Sequence, residues 1–111
     1  MWQSSPAPQQ PGQMTVDQVK ALVDSGEARL LDVREPDEWA AGHIPGATWI
    51  PLDDLDLRYD ELDTGQQWVV YCHLGGRSAQ AAYFLADMGL PQIVNMLGGI
   101  DAWERRGYPT E

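Results

Sequence analysis

The chain has 111 residues, enough for one domain with a real core and too few for two. Hydrophobic residues make up 43% and charged residues 22%, and seventeen acids against seven Lys plus Arg give a formal charge of -10; that field repels phosphate and argues against nucleic acid and anionic membranes as partners. The single cysteine, Cys72, excludes an intrachain disulfide and a multi-cysteine metal site and is compatible with a reducing compartment, so a cytoplasmic location is expected.

The opening "MWQSSPAPQQPGQ" is rich in Pro, Gln and Ser and reads as a mobile tail over residues 1–13, ahead of one domain over 14–111. Trp2 within it is expected as an exposed aromatic or a boundary residue rather than a docking residue. The N-terminus lacks the charged-then-apolar pattern of a secretion signal, and no apolar run reaches bilayer-spanning length. "TVDQVKALVDSG" predicts a helix: Thr15 and Gln18 form a capping box, Val16, Val19 and Val23 share one face, and Gly26 can end it. "ARLLDVR" is a short apolar run, hence a buried strand. "EPDEWAAG" starts a short helix with Pro36 in its first turn and Gly42 at its end. A turn, "HIPGA", leads to a second strand at "ATWI", and Leu52, Leu55, Tyr59 and Leu62 then lie on one helical stripe.

"QWVVYC" is a third strand. The following helix, "RSAQAAYFLADMG", places Ala81, Phe84, Leu85 and Met88 on one face and ends at Gly89. "IVNML" is another strand, and "GGIDAWERRG" a closing helix whose Asp101, Arg105 and Arg106 suit the helix dipole. Strands alternating with helices predict the α/β class, an open parallel sheet with helices on both faces. The acids Asp53, Asp54, Asp56, Asp60, Glu61 and Asp63 are read as a solvated helix face, since no divalent-ion ligand spacing is present.

The chemistry concentrates in "VVYCHLGGRSAQAAYF", where Cys72 follows a buried strand and Ser78 opens a helix. Ligands of open α/β sheets bind outside the carboxyl ends of strands. Residues 73 to 77 must turn sharply there, and Gly75 and Gly76 can take positive φ. Such a loop points several N–H groups at one spot, and the helix N-terminus adds partial positive charge. Both favour a thiolate; a free thiol titrates near pH ~8.5, and such surroundings lower it to roughly 3.5–7.5. Cys72 is therefore read as a nucleophile rather than a buried filler thiol. Arg77 supplies one permanent positive charge, and His73 either assists proton transfer, binds substrate or faces solvent.

The loop "CHLGGRS" resembles the active loop C-x-x-G-x-R-S of the rhodanese-like family. "LLDVREPDEWAAGHIPGA" is similar to the family's amino-terminal signature, with Asp32, Arg34, Glu35, Trp39, Gly42, His43, Ile44, Gly46 and Ala47 in place. "LGGIDAWERRGYP" is similar to its carboxy-terminal signature, with Gly98, Gly99, Trp103, Gly107 and Pro109. The resemblance covers nearly all of residues 14 to 109 and implies a parallel sheet of four or five strands. Asp32, Arg34 and His43 are read as structural, and Trp39, Trp49 and Trp103 as core or near-core aromatics.

Phosphatases of the same fold use C-x5-R, whereas here only His73, Leu74, Gly75 and Gly76 separate Cys72 from Arg77, giving C-x4-R. The shorter loop fits a sulfur on Cys72 better than a tetrahedral phosphate. What the resemblance implies is a single-domain sulfurtransferase that moves a sulfane sulfur through a persulfide on Cys72. His73, Leu74, Gly75, Gly76, Arg77 and Ser78 would bind the donor, thiosulfate or another persulfide. The acceptor would be cyanide, a thiol or a protein cysteine, with no metal or organic cofactor. Ser78 hydrogen-bonds within the loop or, as expected, caps the helix. The two-domain thiosulfate enzymes place a basic residue where this chain has Glu38, which makes thiosulfate a poor donor and a persulfide a better one. A monomer or weak dimer is expected. The alternatives are a binding or regulatory module, a phosphatase or arsenate reductase relative, and a redox sensor, the last without a resolving cysteine in the chain.

Overall fold

The computed structural model describes residues 10–111; Trp2 and most of the expected tail lie outside them. The chain runs β1 (Gly12–Met14), α1 (Val16–Asp24), β2 (Arg29–Asp32), α2 (Pro36–Ala41), β3 (Thr48–Trp49), α3 (Leu55–Arg58), β4 (Trp68–Tyr71), α4 (Gly76–Asp87), β5 (Ile93–Met96) and α5 (Gly99–Arg105). The five strands form one parallel sheet in the order β1-β5-β4-β2-β3. In its centre Leu31 pairs with Val70 and Val69 with Val94.

Successive strand residues point to opposite faces, so each short apolar run feeds two cores. Leu31, Val33, Val70 and Cys72 meet Leu55, Leu62, Ala81, Ala82 and Leu85 beneath α3 and α4. On the other face Leu30, Val69, Tyr71, Val94 and Met96 meet Val16, Val19, Ile100 and Trp103 from α1 and α5. The expected Thr15–Gln18 capping box is present at the start of α1. Among the described residues no helix is long and apolar enough to cross a membrane.

Three local expectations are corrected. Gly12 and Gln13, assigned to the tail, form the edge strand β1 against Val94 and Asn95; a polar three-residue strand carries no apolar run to announce it. Residues 52–61 are not one helix but a 3-10 turn (Leu52–Asp54), the single turn α3, and a second 3-10 turn (Tyr59–Glu61). Their aspartates are poor helix formers that compete for backbone hydrogen bonds. Leu52, Leu55, Tyr59 and Leu62 nevertheless all reach the core. Met88 does not: α4 ends at Asp87, Met88 follows it as the cap and is 43% exposed, and Ala82 lies on the buried face instead.

Candidate functional site

β4 is buried along its whole length, and the chain leaves it at Cys72. The turn into α4 is made at Gly75, whose φ of +109° is closed to side-chain-bearing residues and whose ideal Cβ would lie 3.4 Å from the Gly98 nitrogen. The loop is also held from outside. At the start of α5, the backbone N–H groups of Ile100 and Asp101 donate to the carbonyls of Cys72 (2.9 Å) and His73 (3.1 Å). That approach needs glycine at position 99, where a Cβ would lie 2.3 Å from the His73 oxygen.

The Cys72 side chain is buried, and its Sγ accepts the N–H groups of Gly75 (3.1 Å) and Ser78 (3.3 Å). Burial pushes the thiol up, but hydrogen bonding by Ser78 and by the N–H groups of Gly75 and Leu74 outweighs it, so the thiol is held below its usual value. These contacts favour the thiolate form of Cys72 over the thiol.

Ser78 does not cap the helix. The cap position is Gly75, and Ser78 is the third residue of α4, fully buried. Its hydroxyl lies 2.6 Å from Asn95 Oδ1 and 3.2 Å from the Gly75 carbonyl, while Asn95 Nδ2 is 3.4 Å from that same carbonyl. Asn95, buried in β5, thus joins the site without having been anticipated. The available signal was one amide in the otherwise apolar run "IVNML". His73, Leu74 and Gly76 are exposed along the loop, Leu74 at 63%.

Arg77 is not a free cation. Its Nη1 and Nη2 donate to Glu38 Oε1 (2.7 Å) and Oε2 (2.8 Å), a two-pronged pair spanning from α4 to α2. Hydrogen bonding by the Arg77 guanidinium holds the Glu38 carboxyl down at about 2. Glu38 is placed by Arg34, which donates to the Glu38 carbonyl, to Gly42 O (2.7 Å) and to both oxygens of buried Asp32. Asp32 and Arg34 thus tie the end of β2 to α2 and the turn after it. His43 stacks on Trp39 at 3.6 Å between ring centroids, and Trp39 stacks on Trp49 at 5.4 Å; Trp103 is fully buried. A cleft of about 350 Å³ opens beside the loop, lined by Arg34, Glu38, Gly42, His73, Glu104 and Thr110. Among the described residues no group of three His, Cys, Asp or Glu side chains is placed to hold a metal.

A parallel α/β sheet with a glycine-turned cysteine loop between a central strand and a helix is the arrangement of an open-sheet α/β domain with its one cysteine at the carboxyl end of a strand. The sequence matches the Rhodanese-like domain over residues 15–106, and the chain belongs to that family. It is 39% identical over 88 residues to a protein of Allochromatium vinosum named sulfurtransferase, covering 79% of this chain and 82% of that one. The crystal structure of a rhodanese-related protein from Thermoplasma volcanium superposes with a TM-score of 0.84 at 33% identity, covering 90% of this chain and 97% of the other. A protein of unknown function from Rhodopseudomonas palustris, described as a possible tyrosine phosphatase, gives a TM-score of 0.82 at 31% identity, over 91% of this chain and 85% of that one.

Proposed function

We propose that this chain is a single-domain sulfurtransferase that carries a sulfane sulfur as a persulfide on Cys72. The observation that carries the reading is the Sγ of Cys72 lying within reach of the Gly75 and Ser78 N–H groups at the end of β4. Those donors stabilise the thiolate before reaction and the anionic terminal sulfur after it. The four-residue spacing from Cys72 to Arg77 supports sulfur over phosphate as the cargo.

With thiosulfate, the thiolate attacks the outer sulfur, a new S–S bond forms, the old one breaks, and sulfite leaves with the electron pair. With a persulfide R–S–SH, the thiolate attacks the terminal sulfur and R–S⁻ leaves; the proton stays on the new persulfide or passes to water. An acceptor nucleophile then takes the terminal sulfur and returns Cys72 as thiolate. Cyanide would give thiocyanate by this route, and a protein cysteine would become the next persulfide. A thiol that must stay free between turnovers fits a reducing compartment such as the cytoplasm.

Steady-state thiocyanate formation tests this reading. Double-reciprocal plots at several cyanide concentrations are expected to be parallel, the sign of a ping-pong exchange, and Cys72→Ala should abolish turnover. Turnover that survives in Cys72→Ala would refute it.

A further inference from the structure

We infer that Glu38 sets the charge of the sulfur donor: by occupying both prongs of Arg77 it turns dianions such as thiosulfate away and leaves a site suited to donors carrying a compensating positive charge. This rests on the sulfurtransferase reading above. Arg77 lies in the first turn of α4, close enough to Cys72 for their charges to interact, and is the natural contact for an anion arriving at the sulfur. Both of its prongs are instead engaged by one carboxylate at 2.7 and 2.8 Å.

Among the described residues no other cation is placed to replace it. The guanidinium that lines the cleft, Arg34, is buried and spends its donors on Asp32, the Glu38 carbonyl and Gly42 O. Arg34 is matched by buried Asp32 and Arg77 by Glu38, while Glu104, on the cleft wall, has no ion pair among the described residues and the charge of Glu35 also acts on Arg77. The two guanidiniums are thus each matched by a carboxylate, Glu104 is left over, and the whole chain is at -10. An approaching dianion meets a negative mouth and no available donor fork. A small persulfide carrying an ammonium group meets Glu104 as an attractive partner, and its terminal sulfur needs only the backbone N–H groups around Cys72.

Glu38→Gln is the informative change because it keeps what else Glu38 does. Gln can still accept the Glu35 N–H through Oε1, and Arg34 holds the Glu38 backbone carbonyl rather than its side chain. Its amide nitrogen cannot accept from Arg77, so one prong is freed. The experiment measures the second-order rate of Cys72 persulfide formation by intact mass, each donor being compared with itself across variants. Thiosulfate and cysteamine persulfide are the two donors.

The expected result for Glu38→Gln is a rise of roughly tenfold with thiosulfate, the worth of one recovered charge-assisted contact, with a fall of a few-fold for cysteamine persulfide. The thiosulfate gain should vanish in Glu38→Gln/Arg77→Gln, because it acts through the freed guanidinium. Added salt should speed thiosulfate loading of the parent and slow cysteamine persulfide loading, by screening. An unchanged or slower thiosulfate rate in a folded Glu38→Gln, or a gain that survives in the double variant, overturns the inference while the sulfurtransferase reading stands. Failure of both donors to load the parent overturns that reading and the inference with it.

Discussion

Gly99 is packed against Cys72 so closely that a β-carbon on it would lie 2.5 Å from the Cys72 carbonyl oxygen. The contact couples two ends of the sequence signature: the start of α5 holds the exit of β4, and through it the loop that surrounds the thiol. Gly99→Ala must displace backbone, not a swinging side chain, and it also adopts φ of +60°. The combined strain is expected to cost about 1–3 kcal/mol, read as a lower urea midpoint. Alkylation of Cys72 by iodoacetamide at neutral pH should slow in the same variant as the N–H groups lose their aim.

Ser78→Ala leaves Asn95 Oδ1 without its 2.6 Å partner and loosens the turn whose Ser78 N–H donates to Cys72 Sγ. A loss of roughly 1–3 kcal/mol is expected for the buried amide. The pH profile of Cys72 alkylation should move to higher pH relative to the parent. An unmoved profile would show that the backbone N–H groups alone hold the thiolate.

The lowered thiol makes stability depend on pH with a definite sign. The folded chain gives up the Cys72 proton at lower pH than the unfolded chain does, so it binds fewer protons within that window. Stability from this source rises with pH through the window, is complete above the ordinary thiol value near ~8.5, and is lost as pH falls through the folded value. Urea melts of the parent and Cys72→Ala across this range should show the parent gaining on the variant as pH rises. A constant difference would mean that the thiol is not depressed.

Asp32 and Arg34 form a buried ion pair at 2.7 Å, and Arg34 also positions α2 through Gly42 O. Asp32→Ala strands the guanidinium in the core and is expected to cost roughly 3–5 kcal/mol. Thermal unfolding reads the loss; a melting temperature within a degree or two of the parent would show that water or a neighbouring carbonyl replaces the carboxylate.

How much was legible in the sequence follows from the distance over which each feature is decided. The cysteine loop, its glycine turn and the helix behind it are local, so "CHLGGRS" carried them, as short apolar runs carried four of the five strands. The pairing of Arg77 with Glu38 joins residues 39 apart, and only the fold brings α2 beside α4. Asn95 looks like any polar strand residue until Ser78 is seen against it. Ser78 itself was misplaced because Gly75 caps α4 two residues before Arg77, moving the hydroxyl inside the helix. β1 escaped because its pairing with β5 is made by backbone atoms, to which "GQM" gives no apolar signature.

The central claim is that Cys72 takes up sulfur. Its most direct test is the intact mass of the reduced chain after incubation with thiosulfate or cysteamine persulfide, followed by cyanide. The account predicts a gain of one sulfur atom, reversed by cyanide and absent from Cys72→Ala. No gain with either donor, together with Cys72-dependent hydrolysis of a phosphate ester, would contradict it.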